Sequence, residues 1–188
     1  MKIKNFSDIM VDDYPFFDKL KEEIVFKLEN YSDRQNRKSN VKATMTEWNI
    51  LSPQIDKFKR YILNEIEHEF GHRMVNSKGN LTPIFGDLWG NIYHKGDYTL
   101  VHNHSPAMFS LVLFLKTKWY DSSLVFTDSG KRVRPKEGRF IIFPAYLWHK
   151  VSKHRYNESR ITLSGNIYWD ELCDRSWLKD IDPRVKIA

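Results

Sequence analysis

The chain has 188 residues, enough for one domain with a sizeable core at the usual ~150 residues per domain, and its 41% apolar and 14% aromatic content is too much burial potential for a disordered chain. Thirty Lys and Arg against twenty-four Asp and Glu leave +6, spread over Arg34–Lys42, Lys131–Lys136 and Lys150–Arg155, which reads as a solvated surface rather than a nucleic-acid footprint. The lone Cys173 excludes an internal disulfide or a thiol zinc motif, no apolar run approaches the roughly 18 residues of a membrane span, and MKIKNFSDIM lacks the apolar core of a secretory signal, so a cytoplasmic protein is expected.

In chain order, Asp13 can cap a helix that Pro15 opens, and Phe17, Leu20, Ile24, Leu28 and Tyr31 recur at spacings of three and four, predicting an amphipathic helix over Pro15–Tyr31. Ser32–Lys42 is almost devoid of apolar residues and reads as an exposed loop, followed by a short extended piece at Met45–Leu51. Ser52 then caps a second helix, Pro53 occupies its first turn, Ile55, Phe58, Ile62, Ile66 and Phe70 form its stripe, and Gly71 ends it. Two such apolar faces need a broad partner.

From Leu81 the character changes to short runs rich in Val, Ile, Phe, Tyr and Trp. Strands are expected at Ile84–His94, Leu100–His104, Ser110–Lys116, Leu124–Thr127, Phe140–Phe143, Trp148–Val151 and Arg160–Trp169, and 170–188 reads as a tail with a helical turn. No helix-period segment separates them, which favours an antiparallel sandwich or jelly roll over βαβ winding. The expected organisation is a single domain over 1–188: a helical support region at 1–80, a jelly-roll core at 81–170 and a tail at 171–188. In the last strand Arg160, Thr162 and Ser164 alternate with Ile161 and Leu163; the polar set is assigned to a wet interior cavity and the aliphatic pair to the face beneath the helices.

Alternate side chains of a strand share a face, so His102 and His104 can present two imidazoles to one small volume, with His149 as a third nitrogen and Arg160 as a fixed cation. Neutral imidazole suits Fe, Zn, Cu or Ni. His68 beside two glutamates, His72 after the second helix, His94 and His154 read as surface or structural residues.

Tyr93, Gly96 and Tyr98 precede His102 as Y-x-x-G-x-Y-x-x-x-H, His149 ends Phe-Pro-Ala-Tyr-Leu-Trp-His after the aliphatic run 139–143, and Arg160 follows eleven positions later in Arg-Ile-Thr. This ordered set, from Trp89 to Asn166, resembles the Fe(II)- and 2-oxoglutarate-dependent oxygenases, both their prolyl-hydroxylase-like branch and a group of uncharacterised bacterial and phage oxygenases. The resemblance implies a mainly β fold, a cupin-like double-stranded β-helix supported by about two N-terminal helices. It further implies Fe(II) as cofactor, 2-oxoglutarate as co-substrate, and hydroxylation of a substrate coupled to decarboxylation of 2-oxoglutarate to succinate. His102 matches the first iron ligand, His149 the distal one, Arg160 the arginine that pairs with the far carboxylate, Thr162 a hydroxyl assisting it, and Tyr93 a tyrosine that hydrogen-bonds the co-substrate. Partners would be 2-oxoglutarate, O₂ and an unidentified substrate, with no membrane and no nucleic acid; a sheet edge offers a generic route to an oligomer.

The family pattern is His-x-Asp or His-x-Glu, whereas this chain has His104 in the third position, which removes one negative charge from the metal. Either His104 completes a three-histidine site, or it swings away and leaves water or an anion there, or a remote Asp97 or Asp128 supplies the oxygen. Arg34–Lys42 and Lys116–Ser129 read as surface loops, with a lid as the alternative. Two rival classes compete: a cupin-like three-histidine enzyme (an isomerase, or a dioxygenase without co-substrate), and a non-catalytic basic binding module.

Overall fold

The computed structural model describes residues 9–31, 40–70, 75–76, 79–80 and 82–169. In chain order the elements are β1 (Met10–Asp13), α1 (Phe17–Glu29), β2 (Val41–Lys42), β3 (Thr44–Met45), α2 (Pro53–Phe70), β4 (Val75–Asn76), β5 (Gly79–Asn80), β6 (Pro83–Tyr93), β7 (Tyr98–His102), β8 (Phe109–Lys116), β9 (Leu124–Phe126), β10 (Arg132–Val133), β11 (Arg139–Pro144), β12 (His149–Val151) and β13 (Arg160–Trp169). The major sheet runs β1-β11-β8-β13-β6-β3 and the minor sheet β10-β9-β12-β7-β2, while β4 and β5 form a ladder of their own. Every strand pair is antiparallel, as the absence of crossover helices in the sequence requires. No helix among the described residues is long and apolar enough to cross a membrane.

The major sheet is covered on both faces, and its strands divide their side chains accordingly. In β8, Leu111, Leu113 and Leu115 join the helices while Phe114 turns to the minor sheet; in β11, Phe140 and Ile142 take the first direction and Ile141 and Phe143 the second. The helix-side cluster takes Leu20, Ile24 and Leu28 from α1 and Ile55, Phe58, Ile62 and Ile66 from α2, all buried. At about 1.5–3 kcal/mol for each large apolar side chain removed from water, this layer dominates the stability of the fold. Close contact of α1 with β6 needs Gly90, where an added Cβ would lie 2.6 Å from Leu28 Cδ2.

The second helix starts as its sequence requires: Ser52 Oγ accepts the Ile55 backbone N–H at 3.1 Å, a cap worth about 1 kcal/mol. The first helix does not. Asp13 belongs to β1, its carboxylate pairs with Lys136 and lies 3.6 Å from Arg139 Nε, and α1 begins only at Phe17 after a turn. An extended partner in β11 outcompetes the local cap. The region expected to be helical support therefore also gives β1 and β3 to the major sheet and β2 to the minor one. Likewise β9 lies within 116–129, so that stretch is partly sheet. The end of α2 at Gly71, the loop residues 32–39, His72, Cys173 and the tail from 170 lie outside the described residues.

Strand β13 divides its side chains as their alternation predicts. Ile161 and Leu163 sit in the helix-side core, and Arg160, Thr162 and Ser164 line a cavity between the sheets.

Candidate metal centre

Strands β7 and β12 are neighbours in the minor sheet, and His102 stands directly opposite His149 in their ladder. The next pair is Thr99 with Val151, so Leu100 and Val101 together oppose Lys150 in a bulge. Without it, Thr99 and His102, three positions apart, would face opposite ways; with it both line the cavity. His104 reaches the site differently from its expected place within the strand, because β7 ends at His102. It enters from the loop beyond, held by its backbone N–H donating to Ala145 O at 2.8 Å, with Trp89 alongside at 6.2 Å between ring centroids.

The three rings converge. Centroids are 4.3 Å apart for His102 and His149, 4.8 Å for His102 and His104, and 5.2 Å for His104 and His149, and one ligand nitrogen from each lies within 4.8 Å of the others. His102 Nδ1 lies 2.9 Å from Leu100 O and His149 Nδ1 2.9 Å from Leu147 O. A carbonyl only accepts, so each Nδ1 carries the proton and each Nε2 lone pair is left for a metal. Burial pushes all three below the usual imidazole range, His149 to about 4 and His104 well below, with charge repulsion among the rings adding to burial for His104 and His149. Neutral imidazoles at pH 7 are ready donors, and three of them fit a divalent transition metal. Asp97 accepts the His94 backbone N–H at 2.8 Å and Asp128 accepts from Thr127 Oγ1 at 3.4 Å; neither belongs to this cluster.

Arg160 begins β13 opposite Tyr93 of β6 and is 1% exposed. Its guanidinium carbon lies 5.0 Å from the Tyr93 ring centroid and 5.4 Å from that of Phe114, so two π-faces hold it. Nε and Nη1 are buried and have no hydrogen-bond partner among the described residues. Burial lowers its pKa, opposed by Tyr93 and Asp121. A buried guanidinium left this way is costly unless an anion meets it. Thr162 is buried on the same face. Tyr93 lines the cavity too, but its hydroxyl is paired with Thr99 Oγ1 at 2.8 Å; burial raises its pKa, which keeps it a neutral phenol.

Sequence reasoning passed over Phe114, Thr99 and Asn91, all of which build the site. The signal for Asn91 was present: Trp89, Asn91 and Tyr93 alternate in β6 as Arg160, Thr162 and Ser164 do in β13. His68 is exposed, as expected, and so is His94, whereas His154 is buried, with Nε2 donating to Glu158 O at 2.7 Å and Nδ1 3.7 Å from Asp121 Oδ1.

Residues 129–166 match the family model described as "Putative 2OG-Fe(II) oxygenase", a stretch that contains His149, Arg160 and Thr162 but not His102 or His104. Among solved structures, the viral collagen prolyl hydroxylase vCPH from Paramecium Bursaria Chlorella virus-1, in its 2OG complex, is similar at a TM-score of 0.60 and 16% identity, covering 85% of this chain and 94% of that one. A Pseudomonas putida prolyl-4-hydroxylase gives 0.61 at 12% identity over 86% and 92%. HygX from Streptomyces hygroscopicus, with nickel, 2-oxoglutarate and hygromycin B bound, gives 0.62 at 11% identity over 86% and 82%. No curated protein matches the sequence. At these identities the likeness is one of fold, a jelly roll shared with 2-oxoglutarate oxygenases, and the family match is confined to 129–166.

Proposed function

We propose that this protein is an Fe(II)- and 2-oxoglutarate-dependent dioxygenase that hydroxylates a substrate while 2-oxoglutarate is decarboxylated to succinate, working as a single cytoplasmic domain. The observation that carries the reading is the Arg160 guanidinium, fully buried, with two nitrogens unpartnered, opening into the same cavity as three neutral imidazoles. A metal site alone would not need a buried cation beside it; a diacid that chelates at one end and carries a carboxylate at the other needs both.

In this reading His102, His104 and His149 hold the iron through nitrogen, and Arg160 meets the distal carboxylate with its planar fork. Thr162 adds a hydroxyl to that carboxylate. Tyr93 supports Arg160 from behind through its ring and walls the co-substrate cavity. The metal and 2-oxoglutarate supply the oxidising chemistry. This chain binds them, orients them, and keeps water from the guanidinium. With no carboxylate among the ligands, the three-histidine site carries one negative charge fewer than a His-x-Asp site.

The test is anaerobic addition of Fe(II) and 2-oxoglutarate. A visible charge-transfer band should appear, weaken in Arg160→Ala and vanish in His149→Ala, and under air succinate should accumulate. Metal binding with no band and no succinate would instead favour a three-histidine enzyme that needs no co-substrate.

A further inference from the structure

Six side chains facing the cavity come as three cross-strand pairs of β6 and β13: Trp89 opposite Ser164, Asn91 opposite Thr162, and Tyr93 opposite Arg160. Asn91 and Ser164 have no part in the proposal above. Asn91 is 1% exposed and bonded on both ends of its amide. Trp89 Nε1 lies 3.1 Å from Oδ1, and Nδ2 lies 3.0 Å from Ser164 Oγ and 3.4 Å from Thr162 Oγ1.

The direction of these bonds follows from chemistry alone. An indole N–H only donates, so the amide oxygen must face Trp89. The amide NH₂ then faces the two hydroxyls, and because it too only donates, both hydroxyl oxygens must accept there. Each hydroxyl has one hydrogen, and that hydrogen is left to be given elsewhere. Among the described residues neither Thr162 nor Ser164 makes another hydrogen bond. Both line the cavity into which Arg160 opens. A chain of donors, begun at a donor-only indole, thus ends in two O–H groups committed to acceptors inside the cavity.

We propose that Asn91 is a positioning residue which turns the Thr162 and Ser164 hydroxyls into donors for 2-oxoglutarate, and that Ser164 is thereby a further co-substrate-binding residue. The proposal rests on the 2-oxoglutarate reading above. Its logic depends on the amide: an apolar side chain of the same shape leaves both hydroxyls free to rotate and to pair with each other or with water.

The experiment measures binding of 2-oxoglutarate to the full chain loaded with Mn(II) under nitrogen, by calorimetry, and Mn(II) affinity separately by electron paramagnetic resonance. Asn91→Leu should weaken 2-oxoglutarate about fivefold to thirtyfold, the worth of one or two neutral hydrogen bonds at about 1 kcal/mol each, with Mn(II) affinity unchanged. In a Thr162→Val, Ser164→Ala background the same substitution should cost nothing further, since the groups it acts through are gone. Unchanged affinity in Asn91→Leu, or an equal loss in both backgrounds, overturns the proposal. If Asn91→Leu fails to fold, Ser164→Ala alone keeps the Trp89 bond and should weaken 2-oxoglutarate about threefold or more without touching Mn(II); no loss there overturns it as well. Wild-type protein that takes Mn(II) but never 2-oxoglutarate would refute the parent reading, and this one with it.

Discussion

Replacing Arg160 by methionine should separate stability from binding, because the guanidinium is unfavourable in one and needed in the other. Two of its nitrogens are buried with no partner among the described residues, at about 1–3 kcal/mol each. Stacking on Tyr93 and Phe114 gives back about 1–2 kcal/mol per ring in a desolvated site. An unbranched thioether of similar length keeps most of the ring contacts and removes the charge. Arg160→Met should therefore unfold at the same temperature as wild type or slightly above it, by about 1 kcal/mol or about 2–4 °C for a chain of this size. Binding moves the other way. Two charge-assisted hydrogen bonds at about 1.5–3 kcal/mol each would be lost, weakening 2-oxoglutarate about a hundredfold to ten-thousandfold. Calorimetric melting with Mn(II), with and without co-substrate, reads both effects. Wild type at a hundred times its dissociation constant should gain about 2.7 kcal/mol, and the variant nothing. A variant that melts several degrees lower yet keeps the ligand-induced shift would mean that Arg160 is an ordinary core residue, and the argument from its buried nitrogens would be wrong.

Removing either ladder-paired imidazole, in His102→Ala or His149→Ala, should lower Mn(II) affinity at least about tenfold to a hundredfold, measured by titration under nitrogen. His104→Asp restores a carboxylate at the third position and should keep metal binding while shifting the absorption of the Fe(II)–2-oxoglutarate complex; loss of metal would show that the loop conformation suits only a ring. For pH, His149 falls from the ordinary 6.5 to about 4 on folding, so between those values the unfolded chain binds the proton and the native one does not. Metal-free stability is thus full above pH 6.5 and declines toward pH 4, by about 3 kcal/mol from this residue, and His149→Leu should flatten the curve in chemical denaturation. Phe58→Ala opens the layer under α2 and should cost about 3–5 kcal/mol, with any smaller loss in urea melts showing that the helices contribute less than their burial suggests.

Much of this architecture could be read from residue order, and the reasons differ by element. The second helix was legible because its cap, first-turn proline and apolar stripe agree. The strands from β6 onward, β10 apart, were legible from their Val, Ile, Phe and Tyr runs, with ends moved by a residue or two. Asp13 misled because helix capping is local, whereas its real partners, Lys136 and Arg139, are more than a hundred residues away. The two-residue strands β2, β3 and β10 have no periodicity of their own and exist only because a neighbour offers an unpaired edge. At the site, the three histidines and Arg160 were recognisable, but the route of His104 was not: alternation places it on the strand, and the strand stops two residues earlier. Phe114 was invisible because an inward aromatic in an aliphatic strand looks the same whether it touches another ring or a guanidinium.

The extra residue in β7 has a chemical consequence apart from the direction in which His102 faces. Deleting Leu100 or Val101 would shorten the gap between Thr99 and the histidine to two positions, and plain alternation would still turn both toward the interior. What fixes the tautomer is the Leu100 carbonyl at 2.9 Å from Nδ1; take that bond away and the preference goes with it. The imidazole could then attach through either nitrogen, giving a mixture of linkage isomers where the intact strand allows one. That carbonyl governs less where the ring is than which of its two nitrogens is bare.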